Sequence, residues 1–361
     1  MRIALTGRPG SGKSMLFDLL EGKGGAPAPG LRIAHVVVPD PRVDALSREF
    51  KPKKTTPARI EFQDLEQKGS VQYPALSPER REMLSRADLV LLVVELFATP
   101  PEEWAEEARR QIAELADEFL ILDLATVEGR LERVQKIVKA GQKPGFTGEP
   151  ELLERLRATL DEGRPVRSVP EAEEKAKELR GFAFLSGRPI LPAFNVGEEQ
   201  LGEARALVDA IDLSGVLQPN ETDGSRIVFS AEVENQILEI AEDERATFME
   251  AFGLTESAVA QTIRAAYERA GLESFFTVGE DEVRAWSLRR GSYAPQAAGA
   301  IHSDLEKGFV RAEVVAYSDW ESAGSMNAAK EKKLVRMEGK DYVIQDGDIV
   351  NIRSGLAKSR G

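Results

Sequence analysis

The chain has 361 residues, of which 42% are apolar and 30% charged, with no cysteine and a formal net charge of −13. That length carries two or three domains and a sizeable core, the missing thiols exclude disulfides, zinc–thiolate centres and cysteine nucleophiles, and the acidity disfavours wholesale wrapping of nucleic acid. No run approaches the roughly 18 uncharged apolar residues of a membrane span, and Met1-Arg2-Ile3 leads straight into a strand, so a cytoplasmic location without membrane contact is expected.

The first predicted strand, Ile3 to Thr6, runs into Gly7-Arg8-Pro9-Gly10-Ser11-Gly12-Lys13-Ser14 and then into Met15 to Leu20, which reads as the opening of a helix. Strand, glycine-rich loop, Lys-Ser and helix in that order form a phosphate-binding loop. The glycines let the backbone wrap round a triphosphate so that successive N–H groups point at its oxygens; Lys13 reaches the β- and γ-phosphates, and the Ser14 hydroxyl can ligate Mg²⁺. Gly7, Gly10, Ser11, Gly12, Lys13, Ser14 and Met15 are the candidate nucleotide contacts, with Lys13 also the candidate catalytic cation. The competing reading is a glycine-rich turn that merely joins strand to helix.

Further strands are expected at Ile33–Val38, Ile60–Asp64 and Leu89–Glu95, with an amphipathic stretch from Pro101 to Glu118. This alternation over residues 1–126 predicts an α/β domain with a mostly parallel sheet covered by helices. Between 127 and 185 the pattern changes to apolar residues at helical spacing among many charges (Leu131, Val134, Val138; Leu152, Leu153, Leu156, Leu160; Ala172, Ala176, Leu179), an inserted helical arm with solvated faces and a narrow apolar seam. Strand signals resume at Pro189–Asn195 and Arg226–Ser230, with helices between and after them, so residues 186–272 complete the sheet. Beyond Gly271 come short strands punctuated by glycine, a small α+β domain over 273–361. That last quarter carries 13 Lys and Arg against 14 Asp and Glu, which makes it the best-suited part of an acidic chain for contact with RNA.

The base is addressed by two further segments. P-loop GTPases carry Asn-Lys-x-Asp at the end of a late strand, its carboxylate accepting from the guanine ring; here the matching strand ends in Asn195-Val196-Gly197-Glu198. A displaced carboxylate and Val196 in place of lysine weaken guanine readout and open the site to adenine. The next strand ends in Ser230-Ala231-Glu232, where a backbone N–H meets the base in such proteins. Each pattern taken singly also fits ordinary strand-to-helix capping.

Together with Val38-Pro39-Asp40-Pro41-Arg42-Val43-Asp44, Lys51–Lys54, Ile263–Tyr267, Phe275–Trp286, Ala294–Asp304, Gly308–Glu313 and Gln345–Asp348, these segments resemble the YchF / Obg-like ATPase family over nearly the whole chain. The resemblance implies a P-loop NTPase G-domain with an inserted helical coiled-coil arm, and a small C-terminal α+β TGS (ubiquitin-like) domain. It also implies binding of ATP in preference to GTP, hydrolysis with Mg²⁺, and association with ribosomes or RNA through the arm and the TGS domain. A monomer is the simplest expectation.

The chain departs from the family pattern where hydrolysis is controlled. The loop Lys23–Leu31 is shortened and has no threonine to sense Mg²⁺ and the γ-phosphate; where Asp-x-x-Gly is expected the chain reads Asp64-Leu65-Glu66-Gln67, leaving Asp64 as the candidate Mg²⁺ partner. The family's histidine-bearing loop here reads Leu96–Trp104 and contains none, and the only histidines, His35 and His302, read as structural. Glu66, Glu102 or Glu103 are alternatives for orienting water, against the simpler view that they are surface acids. Two outcomes stay open: a slow ATPase, or a nucleotide-binding module whose switches have decayed. In the terminal domain, Arg284, Arg289, Arg290, Lys307 and Arg311 form a candidate basic stripe with Trp286 or Phe309 to stack on a base, the alternative being that the aromatics are core.

Overall fold

In the computed structural model, which describes residues 1–22, 30–65, 76–222, 226–241 and 243–355, the chain divides into two compact units. The first comprises Met1–His35 and Glu61–Arg269, the second Val36–Ile60 and Ala270–Gly361. The continuous domain over 1–126 expected from the strand–helix alternation is therefore interrupted, since 36–60 belongs to the C-terminal unit.

Six strands order as β2-β4-β1-β5-β6-β7: β1 (Arg2–Gly7), β2 (Leu31–Val37), β4 (Arg59–Leu65), β5 (Leu89–Glu95), β6 (Ile190–Asn195) and β7 (Ile227–Phe229). β1 pairs in parallel with β4 and β5, and β5, β6 and β7 continue in parallel. Leu89 to Val94 are fully buried, as a central parallel strand covered on both faces requires. The chain leaves β1 toward one edge and later returns on its other side through β5, so the strand order reverses at β1, the point where open α/β sheets bind ligands beyond the carboxyl ends of their strands.

Helix α1 (Lys13–Glu21) follows β1 and buries Leu16, Phe17, Leu19 and Leu20. α2 (Pro41–Phe50) lies in the second unit, and α3 (Pro78–Arg86) in the first. The amphipathic stretch after β5 and the start of the arm prove to be one helix, α4 (Trp104–Lys139), 36 residues long. Its first half packs Trp104, Ala108, Ile112, Leu115 and Phe119 on the sheet; its second half contributes Val127, Leu131 and Val134 to a separate core with Leu152, Leu153, Leu156 and Leu160 of α5 (Glu149–Asp161). Val138 is exposed rather than part of that seam. Buried Asp123 of α4 fastens the returning chain, accepting from the Leu185 and Ser186 N–H groups and the Ser186 hydroxyl.

In the second unit, β3 (Lys54–Thr56) joins β8 (Leu272–Thr277), β9 (Glu282–Arg289), β10 (Phe309–Ala316), β11 (Arg336–Glu338) and β12 (Asp348–Ser354) in the order β11-β10-β12-β8-β9-β3. Lys54 to Thr56 run parallel to Glu282–Arg284, which is why 36–60 belongs here. Phe275, Phe309, Val314 and Val350 pack with the helix Ala294–Ile301 into one core.

Candidate functional site

The phosphate-binding loop leaves β1 at Gly7, and its shape depends on glycine. Gly10 and Gly12 have φ of 83° and 92°, and a Cβ on Gly7 would lie 2.6 Å from the Val93 carbonyl oxygen. Gly12 caps α1 without a side-chain hydrogen bond, so the first N–H groups of that helix have no side-chain cap and the positive end of its dipole faces the loop. The Lys13 ammonium lies 3.4 Å from the Arg8 carbonyl oxygen, folded back over the loop. Burial, reinforced by the Arg80 charge and opposed by Asp64, lowers its pKa. Ser14 is half-buried on the first turn of α1, next to exposed Met15.

Asp64, on β4, is 1% exposed, and neither carboxylate oxygen has a hydrogen-bond partner among the described residues. Burial raises its pKa, although the charges of Lys13, Arg32 and Arg80 all act to keep it ionised. A buried carboxyl with unused oxygens beside the loop's lysine is the environment a divalent cation or its bound water would complete. No group of three or more His, Cys, Asp or Glu able to hold a metal occurs among the described residues. The donor set therefore suits an ion carried chiefly by phosphate and water, as Mg²⁺ usually is.

Asn195, the last residue of β6, ties the loop down. Its Nδ2 donates to the Ser11 carbonyl oxygen and its Oδ1 accepts from the Ala231 N–H, each at 3.0 Å. Three predicted segments thus meet on one side chain. The neighbouring expectations fare unevenly: Val196 is 1% exposed and packs in the core of the sheet, so its side chain is not in a ligand-facing loop. Half-exposed Glu198 accepts from Gln236 Nε2 at 3.2 Å, Ser230 is buried without capping the following helix, and Glu232 is exposed.

Other expectations resolve more simply. Glu102 and Glu103 are exposed on a short 3-10 turn, whereas Glu66, Gln67 and most of the shortened loop, 23–29, lie outside the described residues. His302 accepts from the Asp304 N–H as a helix cap, and His35 is exposed on β2. In the second unit Phe309 is core and cannot stack on a base. Half-buried Trp286 lies 3.9 Å under the Arg284 guanidinium, while Arg289, Arg290, Lys307 and Arg311 are exposed.

Sequence reasoning missed the cations round the acid. Buried Arg80 of α3 donates to the Leu65 carbonyl oxygen, and Arg32 of β2 pairs with Asp18 and Glu21 while covering the Phe17 ring. Both come from outside the motif, and no local spacing announces them.

A phosphate loop at the switch point of a parallel sheet defines a P-loop nucleotide-binding protein. The YchF-GTPase_C model, described as "Protein of unknown function (DUF933)", matches residues 272–355. The chain is 34% identical to the ribosome-binding ATPase YchF of Bacillus subtilis, over 97% of this chain and 98% of that one. It is 30% identical to the human Obg-like ATPase 1, over 97% and 91%. The solved structure of the Schizosaccharomyces pombe YchF GTPase superposes with a TM-score of 0.76 at 25% identity, covering 98% of this chain and 97% of that one. The chain belongs to the YchF / Obg-like ATPase family.

Proposed function

We propose that the chain binds ATP with Mg²⁺ at the phosphate loop, hydrolyses it slowly, and uses nucleotide occupancy in association with ribosomes. The observation that carries this reading is the pairing of an open α1 N-terminus and Lys13 with buried Asp64, whose carboxylate oxygens have no hydrogen-bond partner among the described residues. The main-chain N–H groups from Gly10 to Ser14 bind the phosphates, Lys13 neutralises β/γ charge, and Ser14 and Asp64 would hold the ion directly or through water. When bound, Mg²⁺ supplies charge neutralisation for the leaving phosphate oxygens. Asn195 keeps the loop in register with the segment at Ala231. ATP is preferred over GTP in this reading because Val196 and Glu198 replace the lysine and aspartate of a guanine site. Ribosome association comes from the printed names of the bacterial relatives, and a cytoplasmic location is proposed with it, as is a three-part division into G-domain (1–126 and 186–272, less the 36–60 segment that pairs with the terminal unit), arm (127–185) and TGS domain (273–361). No helix among the described residues is long and apolar enough to cross a membrane.

Single-turnover hydrolysis of ATP by wild type and Lys13→Ala, with Mg²⁺ and then with EDTA, tests the reading. Lys13- and Mg²⁺-dependent phosphate release supports it. ATP binding without any Lys13-dependent product over many hours would leave a nucleotide-binding module and remove the ATPase. Tighter competition by GTP than by ATP would reverse the assignment of the base.

A further inference from the structure

The Arg8 side chain, second in the phosphate loop, leaves the loop and is clasped by α4. Its Nη1 lies 2.6 Å from Glu107 Oε1, and its Nε and Nη2 lie 3.0 and 2.5 Å from Glu114 Oε2. All three side chains are largely shielded, with exposures of 21% for Arg8, 14% for Glu107 and 30% for Glu114. Between the two acids on the same stripe of the helix, buried Gln111 accepts from the Glu95 N–H and donates to the Glu95 carbonyl oxygen and to Glu107. One face of α4 therefore grips both the phosphate loop and the end of β5, the strand that leads into the Leu96–Trp104 loop. The same helix runs without interruption into the core of the arm, where Val127, Leu131 and Val134 pack.

We propose that Arg8 is a positioning residue that fixes the phosphate loop to α4 through Glu107 and Glu114, so that ATP occupancy and the arm's helix are energetically coupled. This rests on the nucleotide site described above and adds to it a route between that site and the arm. The guanidinium fork suits two carboxylates one helical stripe apart, a geometry that lysine meets only in part. Burial by itself would raise the Glu107 pKa, but hydrogen bonds from Arg110 and Gln111 and the charges of Arg110 and Arg8 bring it below the usual range, so Glu107 meets Arg8 as a carboxylate at neutral pH. Coupling between the two ends is reciprocal, since whatever ATP does to α4, a load on the arm does to ATP affinity.

The experiment titrates Mg²⁺–ATP into wild type, Arg8→Gln, Glu107→Gln/Glu114→Gln and the triple variant, and follows amide exchange along α4 with and without saturating ATP. Arg8→Gln and the paired Gln variant should each weaken ATP binding by about 3- to 10-fold, and the triple variant should be no weaker than the worse of the two, because both remove the same contact. Arg8→Lys should recover part of the loss. Exchange at residues 120–139 should respond to ATP in wild type and not in Arg8→Gln, a readout that a merely structural arginine would leave unchanged. Additive losses, or the same ATP response of α4 with and without Arg8, would overturn the proposal while leaving the nucleotide site intact. Wild type that binds no ATP at millimolar concentration would overturn that site and this proposal together.

Discussion

Asn195 is where the site can be broken most informatively. Its side chain is 4% exposed and makes two hydrogen bonds, both to main chain: to the Ser11 carbonyl oxygen and from the Ala231 N–H, at 3.0 Å each. Asn195→Ala leaves that acceptor and that donor buried beside Ser11 and Ala231, which are 0% and 5% exposed. Each orphaned group costs about 1–3 kcal/mol, so after relaxation the loss of stability should be about 2–4 kcal/mol without any nucleotide present. Asn195→Asp keeps the bond from Ala231 but sets a carboxylate oxygen against the Ser11 carbonyl, and should cost at least as much as alanine despite its near-identical shape. Unfolding by urea followed through Trp104, with Trp286 and Trp320 replaced by Phe, reads the first unit alone, because those three are the only tryptophans. ATP affinity should fall by at least about tenfold in both variants, equivalent to about 1.4 kcal/mol at the loop. If the ligand-free Asn195→Ala chain stays within about 0.5 kcal/mol of wild type, the side chain is no brace and the reasoning fails.

Glu234, 4% exposed, accepts from the Ala258 N–H at 2.6 Å, and burial, only partly offset by that bond, pushes its pKa up to about 7 from 4.5. The folded state therefore holds a proton that the unfolded state releases, so this group's contribution is present below about pH 4.5 and lost by about pH 7, up to about 3 kcal/mol. Glu234→Gln should flatten that fall, seen as a melting temperature that gains on wild type as pH rises from 5 to 8; parallel pH curves would refute it. Glu221, 2% exposed at its side chain, accepts a two-pronged contact from Arg167 and the N–H groups of Ile190 and Gln218. Glu221→Ala strands a shielded guanidinium and should cost about 3–5 kcal/mol in a denaturant titration. Gly12→Ala forces a side chain into a φ of 92° and against Asn195 Nδ2, and should lower ATP affinity by at least about tenfold in a titration while the fold, judged by circular dichroism, persists.

The phosphate loop is legible in the sequence because its demands are local: glycine where φ is positive, Lys-Ser at a helix start, and a strand before it. The central strands are legible for the same reason, since Leu89–Val94 can only be covered on both faces. Residues 36–60 are not, because their strand signals are as good as their neighbours' and what moves them to the other unit is long-range: the pairing of Lys54–Thr56 with Glu282–Arg284, the Arg42–Asp346 ion pair and the Phe50–Trp320 ring contact. The helical insert is legible as helix but not in its bounds, because α4 has no break between Glu118 and Val127 to mark where the sheet's helix becomes the arm's.

Val196 shows how far motif reading can go. Read along the chain, it is a loop residue that has replaced a lysine; in three dimensions it is 1% exposed, its N–H bonded to the Phe229 carbonyl oxygen and its side chain among the apolar residues of the sheet. A lysine at that position would have to bury four methylenes and find water for its ammonium, so the substitution changes more than a contact to the base. Position 196 here supports β6, so in the proposed reading its part in purine choice is the lysine it lacks, and any direct contact to the base is left to the residues round it. Of these, Glu198 is the one side chain of the altered tetrad that combines charge with solvent access, and Gln236 Nε2 donates to it at 3.2 Å, the long end of the hydrogen-bond range. Restoring lysine at 196 alone should therefore destabilise the sheet without creating guanine preference, whereas changing Glu198 should move the ATP-to-GTP ratio with the fold intact; competition titrations on Val196→Lys and Glu198→Gln separate the two, and a guanine preference gained by Val196→Lys would show that the strand end, and not the turn after it, reads the base.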